Sequence, residues 1–135
     1  MPEQWKFSKE KDLMFEQAFG RDHYWHYHPD TIEGVRSYMV KVVVPEGKGH
    51  DFHRHPEMHE ILYILKGRAE QWIEGEMQYL EEGDSIYIDA DVVHGTFNAG
   101  EGPLEFLAVL SPPEGWAAGT LDVSDEEPYA SYRSK

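Results

Sequence analysis

The chain contains no cysteine. This absence excludes disulfide bonds, thiol nucleophiles and thiolate metal ligands. It leaves the redox compartment undecided, because a chain without cysteine has neither disulfides nor free thiols that would indicate one.

Basic residues are scarce: 12 lysines and arginines stand against 26 aspartates and glutamates, for a formal net charge of −14. Because phosphates repel such a surface, the composition argues against nucleic acid and against anionic membranes as partners. No apolar run approaches the length needed to span a bilayer, and the charged start MPEQWKFSKEKDL does not have the apolar core of a secretory signal. We therefore expect a cytoplasmic protein whose partner is a small molecule.

What the chain does have is the composition of one folded domain, with 135 residues, 40% hydrophobic and 13% aromatic. Residues 35–110 are a series of short β-branched or aromatic runs separated by glycine-containing breaks. These runs are VRSYMVKVVV, EILYIL, AEQWI, MQYL, SIYIDA and LEFLAVL. Such close spacing without a helical period predicts an all-β fold, a small antiparallel β-barrel or sandwich.

The pattern divides the chain into three parts. Residues 1–30 form an aromatic and charged extension, with a short helix predicted after Ser8. Residues 31–112 form the barrel. Residues 113–135 are rich in proline, glycine and acid, which predicts an extended or partly disordered acidic tail.

Aromatic residues outside the barrel interior predict a homodimer. Strand alternation places Tyr63 and Trp72 on the outer face, and aromatics there are commonly covered by a second sheet or a partner. The N-terminal extension adds Trp5, Phe7, Tyr24 and Trp25. We expect residues 1–30 to pack across a two-fold subunit interface.

Histidines are concentrated in the stretch GKGHDFHRHPEMHEILYILKG, residues 47–67. Residues i and i+2 of a strand share a face, so His53 and His55 project together. If the chain reverses at PEMH, Glu60 at the head of the next strand faces the same interior. Burying this carboxylate is costly unless a cation compensates it, and a divalent metal held by the imidazoles would do so.

The same stretch resembles the first motif of the cupin family, G(X)5HXH(X)3-4E(X)6G. Every fixed position matches, at Gly47, His53, His55, Glu60 and Gly67. Five fixed positions at matching spacing are far more specific than an HXH pair alone.

The second cupin motif, G(X)5PXG(X)2H(X)3N, is similar to GDSIYIDADVVHGTFN. Gly83, His94 and Asn98 are in place, whereas Asp89 stands for the proline and Asp91 for the glycine. Because aspartate tolerates left-handed backbone better than most residues, we expect the turn before His94 to form.

The resemblance is to a small single-domain cupin, and it implies a jelly roll of the double-stranded β-helix type. It also implies that His53, His55, Glu60 and His94 bind one divalent transition metal per chain. Three imidazoles and one carboxylate suit Fe, Mn, Ni, Co or Zn.

The resemblance leaves two kinds of function open, because this barrel supports many chemistries. One is an enzyme acting on a small oxygenated metabolite, either a dioxygenase or an isomerase or lyase of sugar-acid or hydroxy-ketone type. The other is a non-catalytic binding protein used for sensing or storage. Glu60 and Gln71 are candidates for orienting a substrate, although a backbone hydrogen bond explains a buried Gln71 equally well.

The other histidines give weaker signals. His23, His26 and His28 could form a second metal site, but no carboxylate is placed to complete it, which favours a solvated or interface-packing segment. His50 is expected in a loop. His59 does not complete an HEXXH helix, because the glutamate follows it and Pro56 interrupts the repeat.

Overall fold

The computed structural model describes residues 4–133 and consists mainly of β-strands. The strands are β1 Met14–Ala18, β2 Arg21–Tyr27, β3 Tyr38–Val44, β4 Gly49–Arg54, β5 His59–Lys66, β6 Arg68–Ile73, β7 Glu76–Glu81, β8 Ser85–Ile88, β9 His94–Asn98, β10 Leu104–Ser111 and β11 Leu121–Asp122. Two 3-10 helices, Glu10–Asp12 and Pro113–Ala118, and one α-turn, α1 Tyr129–Tyr132, complete the described elements. None of the helices in this range is long and apolar enough to cross a membrane. The all-β prediction is confirmed.

Two antiparallel sheets face each other as a jelly roll. The first sheet has the order β1-β2-β3-β10-β5-β8 and the second the order β11-β4-β9-β6-β7. Buried and partly buried residues alternate strictly along β3 and β10, as expected for strands with one face on a core. Their inward residues pack with those of β5 and with Ala69 of the second sheet.

The N-terminal segment is part of the first sheet. The helix predicted after Ser8 is wrong: a three-residue 3-10 turn is followed by β1, which pairs with β2 from Met14↔Trp25 to Ala18↔Arg21. β2 in turn pairs with β3, so this pairing overrides the local helix propensity. Trp25, expected at a subunit interface, is 7% exposed and lies in the core of its own chain.

The segment after residue 112 differs from the extended or disordered tail that its composition predicted. β11 pairs with β4. Val123 is buried in a second apolar cluster with Phe52, and Tyr129 and Tyr132 of α1 pack against that cluster. In the sequence these few apolar residues are separated by acidic ones, so the composition of the segment did not indicate that it packs on the barrel.

Trp72 is covered by this same C-terminal segment. Its ring stacks on Tyr132 with centroids 5.4 Å apart and planes 8° apart. The expectation that Trp72 lies outside the barrel interior is met, and the C-terminal segment covers it.

Candidate metal centre

The four residues implied as metal ligands lie together. His53 belongs to β4, His55 follows it directly, Glu60 is the second residue of β5 and His94 begins β9. Each offers one ligand atom, and these atoms all lie within 4.8 Å of one another. Within residues 4–133 no other group of histidine and acidic side chains meets this condition.

Both sheets contribute to the cluster. His53 is the direct cross-strand partner of His94 in the β4–β9 pair. Glu60 comes from the first sheet, where it pairs with Ile88 and Leu110. The cluster therefore bridges the two sheets, and its geometry depends on their packing.

The turn before His94 forms despite the two departures from the cupin motif. Asp91, which stands for the motif glycine, has a φ of 68°, in the left-handed region that aspartate tolerates. Its N–H donates to the carbonyl of His55 at 2.8 Å, and its carboxylate accepts from Arg54 Nη1 at 2.5 Å. The turn thus ties the HXH segment to the strand that carries His94.

Hydrogen bonds at Nδ1 orient the three imidazoles. Nδ1 of His53 lies 2.7 Å from the carbonyl of Asp51, and Nδ1 of His94 lies 3.0 Å from the carbonyl of Val92. A carbonyl can only accept, so Nδ1 carries the proton and the lone pair is on Nε2, facing the cluster. Nδ1 of His55 lies 3.0 Å from the hydroxyl of Thr120.

The ionisation of the cluster also suits a metal. Burial by itself would raise the pKa of Glu60, but the neighbouring imidazoles of His55 and His94 outweigh it and hold the pKa below its ordinary value. Glu60 Oε1 lies 3.0 Å from His94 Nε2 and 3.5 Å from His55 Nε2. Burial, aided by neighbouring histidines, holds the pKa of His53 well below its ordinary value. An ionised carboxylate beside a neutral imidazole is the protonation state that metal ligation requires.

One buried nitrogen of the cluster has no ordinary partner. His55 Nε2 is buried and has no hydrogen-bond partner in the described part of the chain. Buried polar atoms without partners are rare in folded proteins. A metal ion would satisfy this atom, and a set of three imidazoles and one carboxylate fits a divalent first-row transition ion.

The cluster opens into a cavity of about 400 Å³ between the sheets. Its walls are mostly apolar. The apolar lining residues come from the barrel and from the segments before and after it, and they include Trp25, Val40, Val42, Met58, Leu62, Phe106, Ala108, Leu110 and Trp116. Its polar residues beyond the four ligands include Arg21, His23, His50 and Thr96.

Sequence reasoning missed two of these polar residues. His50, expected in a loop, lies in β4 and stacks on the ring of His53 with centroids 3.5 Å apart and planes 10° apart. Arg21 belongs to β2, and the alternation of Arg21, His23 and Trp25 in RDHYWHY was the available signal. That signal could not be used while residues 1–30 were predicted to lie outside the barrel.

Gln71 is 2% exposed and points inward, as alternation predicted. Its Oε1 accepts from the hydroxyl of Thr96 at 2.7 Å, and its Nε2 donates to the carbonyl of Trp72 at 3.3 Å. Thr96 lines the cavity, whereas Gln71 lies behind it. Gln71 thus reaches the cavity through the threonine hydroxyl.

Proteins with similar sequences include three of different kinds. An uncharacterized protein of Methanocaldococcus jannaschii is 35% identical over 86 residues, which cover 64% of this chain and 69% of that protein. A mannose-1-phosphate guanylyltransferase of Salmonella typhimurium is 34% identical over 104 residues, 70% of this chain but only 22% of the enzyme. An oxalate-binding protein of Thermotoga maritima is 33% identical over 72 residues, 53% of this chain and 60% of that protein.

Solved structures share the fold. A predicted oxalate decarboxylase from Thermotoga maritima superposes with a TM-score of 0.71 at 21% identity, covering 79% of this chain and 99% of that one. A polyketide cyclase from Streptomyces resistomycificus gives a TM-score of 0.71 at 20% identity, covering 93% and 91%. The cupin domain model matches residues 40–110, more than half of the sequence. The chain belongs to the cupin family.

Proposed function

We propose that this cupin binds one divalent first-row transition metal through His53, His55, Glu60 and His94, and that it acts on a small oxygenated molecule in the adjoining cavity. The observation that carries the proposal is the convergence of four ligand atoms within 4.8 Å at the wall of a cavity of about 400 Å³. A similar sequence and a similar solved structure, both from Thermotoga maritima, have names that refer to oxalate, which is a small oxygenated molecule.

A bound ion of this kind would supply Lewis acidity, polarising a carbonyl or lowering the pKa of a hydroxyl. The chain's own residues would provide the rest. Ionised Glu60 balances part of the positive charge, and the apolar walls exclude water. The hydroxyl of Thr96, which donates its proton to Gln71, can accept a hydrogen bond from a substrate hydroxyl. No lysine, serine or cysteine is among the described residues that line the cavity, which disfavours covalent catalysis by those side chains.

Metal content tests the proposal directly. We expect purified protein to carry about one divalent first-row ion per chain. His53→Ala and Glu60→Ala should lose most of it, because each removes one of four ligands. His59→Ala is the matched control, since His59 is outside the cluster and its Nε2 pairs with the hydroxyl of Ser111 at 2.7 Å. Elemental analysis that finds no ion, even after reconstitution with Fe, Mn, Co, Ni and Zn, would contradict the proposal.

Reaction class can then be separated by oxygen and metal dependence. A dioxygenase should consume dioxygen and lose activity when Zn(II) replaces Fe(II). An isomerase or lyase should work anaerobically and tolerate Zn(II) or Mn(II). In both cases His94→Ala should abolish turnover.

The second candidate function is ligand binding without turnover. The likeness to the Thermotoga oxalate-binding protein favours it. Metal-loaded protein that binds small oxygenated molecules stoichiometrically, yet leaves them unchanged in aerobic and anaerobic incubations, would establish this alternative.

A further inference from the structure

Arg21 is a buried cation without a counter-ion. It is 5% exposed, belongs to β2 and lines the metal cavity. Its Nη1 donates to the carbonyl of Gly49 at 3.1 Å, and it forms no ion pair with any carboxylate of residues 4–133. A guanidinium has five N–H donors, and buried charges are normally paired.

Two more nitrogen groups on the same face of β2 lack partners. His23 and Trp25 follow Arg21 at positions i+2 and i+4 and also line the cavity. Nδ1 of His23 and Nε1 of Trp25 are buried without hydrogen-bond partners in the range that the structure describes. Native proteins leave few such groups unsatisfied. Three adjacent inward residues of one strand therefore present unused hydrogen-bonding capacity to the cavity.

The charge of the loaded cavity would be positive. A divalent ion and Glu60 leave one net positive charge, to which Arg21 adds another. Glu16 also lines the cavity, but it is exposed to solvent, which screens its charge. With the ion bound, a chain with a formal charge of −14 would therefore enclose a cationic interior that complements an anion.

We propose that β2 forms an anion subsite in which Arg21 binds the carboxylate of a small organic acid. An oxygen of the same molecule would reach the metal centre, and its apolar body would contact Trp25, Phe106 and Trp116. The reach to the metal rests on the proposed function, whereas the pairing with Arg21 does not. The substrate class is therefore a carboxylic acid with an apolar body.

Mandelate and mandelamide are a suitable pair of probes. They have the same aromatic body and two adjacent oxygens, but only mandelate is charged. Isothermal titration calorimetry should show about tenfold or greater preference of wild-type protein for mandelate, because hydrogen bonds to charged groups are the stronger ones. Arg21→Gln should reduce this preference to about twofold or less, and Arg21→Lys should keep part of it, because lysine retains the charge but not the planar fork. Arg36→Gln, at an exposed position outside the cavity, should keep it in full.

The titrations should be run on metal-loaded and on chelator-treated protein, with metal content measured in each. A protein that binds no metal would refute the proposed metal function, but its metal-free preference for mandelate would still support the Arg21 subsite. Equal affinity for the two probes in wild-type protein under both conditions, or binding of neither, would overturn the subsite. An unchanged preference in a folded Arg21→Gln variant would also overturn it. The wild-type comparison requires no variant, so the test holds if Arg21→Gln fails to fold.

Discussion

His55 is the metal-ligand candidate held least firmly by the barrel itself. It follows the last residue of β4, and 11% of its side chain is exposed. Nδ1 of His53 and of His94 lie at backbone carbonyls, whereas Nδ1 of His55 lies at the side-chain hydroxyl of Thr120 from the C-terminal segment. A single side chain outside the barrel strands therefore orients one ligand.

Thr120→Val tests this orientation. The change removes the hydroxyl but nearly conserves volume, so we expect about tenfold weaker metal affinity with the fold retained. Competition with a metal chelator measures the affinity, and circular dichroism checks the fold. Ser131→Ala is the control, because that hydroxyl donates to the carboxylate of Glu127, far from His55 in the sequence. Equal affinities for wild type and Thr120→Val would show that His55 needs no such partner.

The sequence predicted the site residues to different degrees. Strand alternation, with a chain reversal at PEMH, placed His53, His55 and Glu60 on the same side of the barrel wall. His94 was implied only by the cupin motif, because no local pattern reveals which distant strand will pair with β4. Arg21 could not be predicted, since its position depends on β2 joining the sheet through β3. Local periodicity predicts which side chains share one face of a strand, but not which other element that face packs against.

At the scale of elements, the β4–β9 pair constrains the site through a close approach of the two strands. Gly49 begins β4 and pairs with Phe97. A Cβ on Gly49 would lie 2.5 Å from Phe97 Cδ1 and 2.8 Å from the carbonyl oxygen of Thr96. The two strands approach so closely there that only glycine fits, and the same two strands carry His53 and His94.

Gly49→Ala should therefore destabilise the protein by about 1–3 kcal/mol, the usual cost of overpacking. Denaturant unfolding measures this free energy. Gly100→Ala is the matched control, because its added Cβ would meet Arg68 Cβ at an ordinary 3.5 Å. Equal stabilities for the two variants would indicate that β4 and β9 can separate without cost.

Strand prediction succeeded where the chain alternates or runs apolar, at β3, β5 and β10. It failed for the segment after Ser8, where charged residues favour a helix locally but pairing with β2 decides the outcome. It also failed for the C-terminal segment, where the anchors Val123, Tyr129 and Tyr132 follow one another after six and three residues and so do not show the two-residue period of a strand. In both segments tertiary contacts decide the structure.

Those C-terminal contacts include a charged link that should depend on pH. Arg133 Nε and Trp72 Nε1 each donate to Oε2 of Glu70 at 2.7 Å. Burial alone would raise the pKa of Glu70, but the hydrogen bonds with Arg133 and Trp72 outweigh it, so the pKa lies below its ordinary value of 4.5. A carboxylate with a lowered folded-state pKa stabilises the fold above its unfolded-state pKa, and this contribution is lost as pH falls through the folded-state value.

Glu70→Gln should thus be less stable than wild type at pH 7, and the difference should shrink as pH falls below about 4.5. Urea unfolding at a series of pH values from neutral to acid measures it. Glu82→Gln, at an exposed turn position, should differ little from wild type throughout. A Glu70→Gln difference that stays constant with pH would mean that the ionised form contributes nothing.

For the whole molecule, the outer face of the first sheet presents several exposed apolar side chains. Tyr63 is 45% exposed and pairs with Leu107, and Ile61 is 39% exposed and pairs with Tyr87, which is 59% exposed. Phe15 of β1 extends the same sheet. Large exposed apolar patches commonly mark interfaces, and we propose that a second copy of the chain covers this one with two-fold symmetry.

Light scattering at micromolar concentration should therefore give about twice the chain mass of 15.7 kDa. Ile61→Lys should shift the protein to the monomer, because it places a charge within the patch. Tyr79→Lys, at an aromatic position that is 48% exposed on the second sheet, should leave the dimer intact. A wild-type mass near that of one chain would contradict the proposal.

The cavity wall has a consequence for recombining this protein with other cupins. The four metal-ligand candidates lie within residues 40–110, the stretch that matches the cupin domain. Arg21 and His23 precede that stretch, and Trp116 and Thr120 follow it. A chimera that grafted only residues 40–110 into a foreign cupin would receive the four metal-ligand candidates of this chain. The host's own flanking segments would still line the cavity and set its ligand preference. Swapping the two flanking segments between such proteins would be the shorter route to exchanging their substrates.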